Sequence, residues 1–224
     1  MKIALQALAS SVFGIVFFGI ALFVPAGTVA YWQAWVFIAV FMVCATVSSV
    51  YLTARNPEAL RRRMKAGPMA ETRPAQRIII SAIVLLVAAV LVVGALDWRF
   101  GWSTMPFWAV IVGDVLVAAG LLLAQWVVVQ NSYAGASITV EAGQPLVSTG
   151  LYGVVRHPMY SGTLVMMVGT PLALGSLWSI LVVALAVPVL VARILDEEKA
   201  LTDELAGYRE YMHRVRYRMV PGVW

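Results

Sequence analysis

Long apolar runs broken by short polar stretches dominate the chain. They fall near residues 8–26, 30–53, 78–96, 106–129, 160–174 and 177–195. The first four approach or exceed the roughly 20 apolar residues that a helix needs to cross a bilayer. The last two are shorter and are joined by a turn at 171–176, so they read as a helical hairpin, tilted or short of a full crossing. Backbone groups in lipid must be paired within their own segment, which leaves helix as the state for every run. The opening stretch carries a single charge, Lys2, and its apolar run exceeds the about 7–15 residues of a signal peptide, so it is predicted to be the first spanning helix. After residue 193 the pattern turns amphipathic. Ile194, Leu201, Leu205, Tyr208, Met212 and Val215 recur at spacings of three, four and seven, which predicts one helix face, bent or interrupted at Gly207. The predicted fold class is all-α, a polytopic membrane helical bundle.

Composition agrees with the pattern. The 224 residues are 62% hydrophobic and 12% charged, against about 25% charged in a soluble domain. This length suits one membrane domain. The single cysteine, Cys44, lies in an apolar run, where it reads as a packing residue and excludes a disulfide or a cysteine cluster within the chain. His157 and His213 are the only histidines, so no metal centre is expected.

Charge then sets an expected orientation. Arg55, Arg61, Arg62, Arg63, Lys65, Arg73 and Arg77 cluster in one loop, and Arg193, Lys199, Arg209, Arg214, Arg216 and Arg218 in the tail. The positive-inside rule makes both regions cytoplasmic. A six-segment count then puts Met1, residues 131–158 and the C-terminus on that same side. The 54–77 loop is predicted to be a short basic helix after Pro57 followed by a Gly-Pro turn, setting topology and attracting anionic membrane lipids. It lacks the interleaved aromatics of a nucleic-acid surface, so no nucleic-acid partner is expected. Trp98 and Trp102 fit an aromatic belt at the opposite interface. Asp114 and Gln125 are polar positions inside the fourth run. Asp114 is expected at an interface, and Gln125, Gln130 and Asn131 near a cytoplasmic cavity.

The candidate chemistry lies after residue 131. Segment 131–162 is rich in glycine and small polar residues yet bracketed by helices, the profile of a functional loop. It ends in Arg156-His157-Pro158-Met159-Tyr160. Pro158 suits the first turn of a helix. His157 then falls near the N-cap, and free N–H groups with Arg156 and His157 form an expected cradle for a small anion. In the tail, Glu197 falls on the apolar face, one turn after Arg193. A plain structural ion pair, with Asp196, Glu198 and Lys199 on the wet side, is the alternative to a functional pair.

Taken together, Gly-x-Tyr-x-x-x-Arg-His-Pro-x-Tyr-x-Gly, then Arg-x-x-x-Glu-Glu-x-x-Leu, then Gly-x-x-Tyr-x-x-Tyr resemble the isoprenylcysteine carboxyl methyltransferase family. That family belongs to a wider membrane group that includes the phospholipid methyltransferases. The resemblance covers residues 144–224. It implies a cytoplasmic S-adenosyl-L-methionine pocket closed by a C-terminal amphipathic helix, with a lipophilic or lipid acceptor entering from the bilayer. Gln144, Leu146 and Val147 match the loop lining the cofactor site, and Tyr152, His157, Pro158 and Tyr160 match residues around the cofactor. Glu197 matches a carboxylate in contact with it, and Arg193 an arginine toward the acceptor; these two are the catalytic candidates. Tyr208 and Tyr211 match tyrosines that close the tail over the pocket. The implied division is 1–130, spanning helices with the basic loop, and 131–224, the methyltransferase core. The glycine fingerprint of soluble nucleotide-binding domains is absent, as this resemblance implies.

The expected function is an integral-membrane S-adenosylmethionine-dependent methyltransferase acting on a carboxylate, thiol or amine. Two alternatives stand beside it. One is an NADPH-dependent membrane sterol-type reductase, for which Arg214, Arg216 and Arg218 could hold a 2′-phosphate. The other is a non-enzymatic scaffold or transporter.

Overall fold

A computed structural model describes residues 2–224, and Met1, expected on the cytoplasmic side, lies outside the described residues. The described chain is all-helical. The helices are α1 (Lys2–Ala26), α2 (Trp32–Arg55), α3 (Pro57–Met64), α4 (Pro74–Phe100), α5 (Phe107–Gln130), α6 (Pro158–Ala173), α7 (Trp178–Glu204) and α8 (Tyr208–Arg214). Five of them, α1, α2, α4, α5 and α7, are long and apolar enough to cross a membrane. The protein is therefore an integral membrane protein.

The predicted hairpin is asymmetric. Helix α7 has 27 residues and continues well past the apolar run into the charged tail, whereas α6 has 16. Sixteen residues rise about 24 Å, short of a hydrocarbon core of about 30 Å. Helix α6 is packed tightly on α5. A Cβ on Gly120 would meet the Gly162 carbonyl and the Met166 amide nitrogen, and one on Gly162 would meet the Gly120 carbonyl. Only glycine permits that approach, the small-residue packing that associates helices in lipid. It fixes where α6 begins, and hence where His157 sits.

One end of the bundle is closed by polar side chains. Asp97 is buried and accepts from the Ser103 backbone N–H at 2.7 Å and from the Ser103 and Ser176 hydroxyls at 2.6 Å. Tyr31 donates to the Leu174 carbonyl at 2.6 Å and stacks on Trp98. These bonds tie α4 and the α1–α2 turn to the α6–α7 turn. Asp114, expected at an interface, is 5% exposed, and neither carboxylate oxygen has a hydrogen-bond partner among the described residues.

At the opposite, basic end, segment 54–77 has the form its sequence predicts. Asn56 accepts from the Ala59 N–H at 3.1 Å and caps α3, Pro57 occupies the first turn, and Gly67 turns the chain with φ +92° before Pro68. The tail breaks at Gly207, as its sequence predicts, and differs from expectation only beyond Arg214, where it is not helical. Helix α7 stops at Glu204, Gly207 adopts φ +79°, α8 spans only seven residues, and the rest is non-helical. Glycine takes this left-handed conformation without steric cost, so the break falls where the sequence allows it. The chain then returns alongside the start of α6: the Arg156 and His157 N–H groups donate to the Tyr217 and Arg218 carbonyls at 2.9 and 2.8 Å.

Candidate active site

The basic end holds a narrow cavity of about 110 Å³ between the 131–157 loop, the start of α6, the end of α7 and α8. Every sequence-predicted site residue lines it. Gln144, Leu146 and Val147 come from the loop, where the Gln144 side chain accepts from the Glu141 N–H at 3.1 Å. Leu146 packs with Leu205, Tyr208, Tyr211 and Val215, joining the loop to α8. Tyr152 stands in a 3₁₀ turn over Gly150–Gly153. Its hydroxyl accepts from Asn131 at 3.1 Å, and its carbonyl accepts from the Tyr211 hydroxyl at 2.7 Å. Burial, with Glu197 nearby, pushes the Tyr152 phenol up to about 12, against the stabilising bond from Asn131. Burial likewise raises the Tyr208 and Tyr211 phenols, so all three remain neutral donors.

His157 N-caps α6 and Pro158 opens it, as their order predicts. Tyr160 lies one turn on and forms the centre of the site. Its hydroxyl donates to Glu197 Oε2 and accepts from Arg193 Nε at 3.0 Å. The other Glu197 oxygen is 4.0 Å from His157 Nδ1. Glu197 is thus partly engaged and still faces the cavity.

Arg193 and Glu197 do not pair. The arginine bonds instead to Glu71 Oε1 at 3.0 Å, Gln76 Oε1 at 2.7 Å and the Ala136 carbonyl at 2.9 Å. Both Glu71 and Gln76 are essentially fully buried. Glu71 also accepts from the Ile138 N–H at 3.2 Å, and Gln76 donates to Asp196, which is itself bridged by Arg73 at 2.9 Å. The loop therefore reaches into the site through Glu71, Gln76 and Arg73. In sequence they lie in a charge-rich stretch that reads as a solvated loop, with no spacing that ties them to Arg193.

Glu198 and Asp196 also depart from their expected place on the wet side. Glu198 is 5% exposed and is the hub of the tail. It accepts from Arg156 Nε at 2.7 Å and Arg218 Nε at 2.9 Å, and lies 3.3 Å from His157 Nε2. Arg156 further donates to the Val215 and Arg216 carbonyls at 3.1 and 3.2 Å. The expected anion cradle at the start of α6 is accordingly occupied by the protein's own tail. Gln130 accepts from the Leu151 N–H at 3.1 Å, and Asn131 lines the cavity. Gln125 lines neither this cavity nor its neighbour, and its side-chain nitrogen has no partner among the described residues.

Two features suit this cavity to a ligand. The Tyr208 hydroxyl is buried without a hydrogen-bond partner among the described residues, on a side chain that lines the cavity. A buried hydroxyl left unsatisfied is costly, and a ligand atom would relieve it. The second feature is an adjoining cavity of about 470 Å³ within the bundle, walled mostly by apolar residues of the spanning helices. Gly135, Met159, Tyr160 and Arg193 line both cavities and form the neck between them. Among the described residues, no cluster of His, Cys, Asp or Glu could hold a metal ion.

The chain is similar to known proteins over part of its length. A 91-residue stretch is 34% identical to Delta(14)-sterol reductase of Mus musculus, covering 39% of this chain and 22% of that protein. The chain therefore spans only about a fifth of the length of that relative. Residues 108–209, which carry α5, the loop, α6 and α7, match the family model described as phospholipid methyltransferase. Over that region, somewhat less than half of its length, the chain is similar to the phospholipid methyltransferase family.

Proposed function

We propose that the protein is an S-adenosylmethionine-dependent methyltransferase of lipophilic acceptors, with the polar cavity as cofactor site and the apolar cavity as acceptor site. The observation that carries this reading is the shared neck, where Tyr160 and Arg193 stand between a polar and an apolar chamber. The match of residues 108–209 to the phospholipid methyltransferase model supports it. On the same reading the neck, both basic segments and the C-terminus face the cytoplasm, and residues 131–224 form the core.

The residues fit the cofactor chemically. Tyr152, Tyr160, Tyr208 and Tyr211 offer π faces suited to a sulfonium. Glu197 offers a carboxylate to an amino or hydroxyl group, and the Tyr208 hydroxyl a free donor. At about 110 Å³ the cavity is below the about 300 Å³ at which small-molecule pockets begin, so a ligand of the cofactor's size needs its walls to part.

Bound S-adenosylmethionine would supply an electrophilic methyl group for in-line displacement. The chain's own contribution is positioning and exclusion of water. Arg193, neutralised by Glu71 and fixed by Gln76, holds the Tyr160 hydroxyl in place from one side while Glu197 holds it from the other. A carboxylate or thiolate acceptor needs no base. An amine acceptor must release a proton, and Glu197 is the nearest carboxylate facing the cavity.

The sterol reductase relative keeps a second reading alive, with NADPH as cofactor. Of the arginines suggested for its 2′-phosphate, Arg218 is bound to Glu198 and lies over the Trp224 ring. Calorimetry of the detergent-solubilised protein with each cofactor separates the two. Binding of S-adenosylmethionine alone, weakened about tenfold or more in Glu197→Gln, is the expected result. Binding of NADPH alone would replace this reading with the reductase, and binding of neither by folded protein would overturn both.

A further inference from the structure

The apolar cavity carries a charge that its walls do not neutralise. Arg63, on α3, lines it at the basic end. Its neighbours in the loop are matched: Arg61 with Glu58, Arg62 with Glu141 and Arg73 with Asp196. Arg193, the other arginine lining this cavity, is matched by Glu71. Arg63 has no carboxylate within salt-bridge distance among the described residues. Its bonds are a long one from Nη1 to the Gly135 carbonyl, 3.4 Å, and one to Met159 Sδ, 3.2 Å. A thioether is a weak acceptor. The Nε and Nη2 donors have no hydrogen-bond partner among the described residues. Partial burial lowers the Arg63 pKa from the ordinary arginine range, the direction expected of a cation with no counter-ion beside it.

Both of its partners, Gly135 and Met159, line the neck. The guanidinium thus stands where an apolar chamber of about 470 Å³ meets the polar one. A planar fork with free donors suits an anionic oxygen group, taken in bidentate fashion by carboxylate or phosphate. The chamber behind it suits a hydrocarbon chain.

We infer that Arg63 anchors the anionic head of an amphiphile whose apolar chain fills the cavity, and so selects acceptors carrying a carboxylate or phosphate next to the reacting atom. Only the word acceptor rests on the methyltransferase reading; the amphiphile site stands on the cavity and the unmatched cation. Arg63 is a specificity-determining residue here, and it does not line the cofactor cavity.

The test uses three ten-carbon probes, decyl phosphate, decanoate and decanol, titrated calorimetrically into the full chain in a neutral detergent. At least one anion should bind about tenfold or more tightly than decanol, the scale of a charge-assisted hydrogen bond. Preference for decyl phosphate identifies a phosphate head, and preference for decanoate a carboxylate. Arg63→Gln should lose the preference while binding decanol and S-adenosylmethionine as the wild type does. Arg63→Lys keeps the charge without the fork and should retain part of the preference, and the exposed Arg61→Gln should retain all of it. Anions that bind wild type no better than decanol, or a preference that survives in Arg63→Gln, would overturn the inference. Failure of S-adenosylmethionine to bind wild type would instead sink the proposed function and leave the amphiphile site in place.

Discussion

At the end of the bundle marked by Asp97, one buried carboxylate is surrounded by neutral donors that fill its needs, from the Ser103 backbone and the Ser103 and Ser176 hydroxyls. No cavity opens beside it among the two described. At the basic end, Glu71, Asp196, Glu197 and Glu198 meet Arg73, Arg156, Arg193 and Arg218, and two cavities open among them. The Tyr208 hydroxyl there remains unpartnered. On the proposed function, the difference separates polar groups that hold the fold at Asp97 from polar groups left open to a ligand at the cavity. The same contrast holds between neighbours. Glu198 is satisfied by two arginines, whereas Glu197 has, among the described residues, only the Tyr160 hydroxyl within hydrogen-bond distance and faces a void.

That contrast can be broken by substitution. The largest effect is expected from Glu198→Ala, which strands Arg156 and Arg218 without their carboxylate and should cost about 3–5 kcal/mol, read as a lower unfolding temperature in detergent. Asp97→Ala should follow, at about 1–3 kcal/mol for its unsatisfied serine partners, with cofactor affinity unchanged in calorimetry. If Asp97→Ala also abolishes binding, the two ends are coupled and the comparison fails. Tyr208→Phe should behave oppositely: the empty protein keeps or gains up to about 1 kcal/mol, because an unsatisfied hydroxyl is removed, while S-adenosylmethionine binding weakens several-fold. An affinity unchanged by this substitution would mean that the hydroxyl does not meet the ligand.

The smallest effect belongs to the exposed Arg62–Glu141 pair. The bond from Arg62 holds the Glu141 carboxyl below the usual glutamate range. A lowered folded-state pKa stabilises above the unfolded value, and that stability is lost as pH falls through the folded one. The side chains are 23% and 45% exposed, so Glu141→Gln should change stability by less than about 1 kcal/mol and flatten only the acid limb of the pH profile.

Much of the fold was legible because run length and hydrophobicity decide which segments enter lipid. Helices α1, α2, α4 and α5 fall on the four long runs, and Asn56-Pro57 and Gly67-Pro68 mark their turns as local chemistry requires. The cavity lining was legible through the family resemblance, which implied Tyr152, His157, Tyr160, Glu197, Tyr208 and Tyr211, and all six line the cavity. The partners of the charged end of α7 were not legible, because Asp196 and Glu198 meet Arg73, Arg156 and Arg218 only through tertiary contacts.

The sequence by itself determined an all-helical membrane bundle, the two basic segments and the side chains that gather around the polar cavity. Tertiary structure decided the partners. Arg193 chose Glu71, 122 positions away, over Glu197 one turn along its own helix, because a desolvated carboxylate aimed at the guanidinium outweighs a local pair. It also decided which of two adjacent glutamates is structural. Successive helical residues point about 100° apart, and only the packing of α6, the tail and the loop says which direction is solid protein and which is cavity.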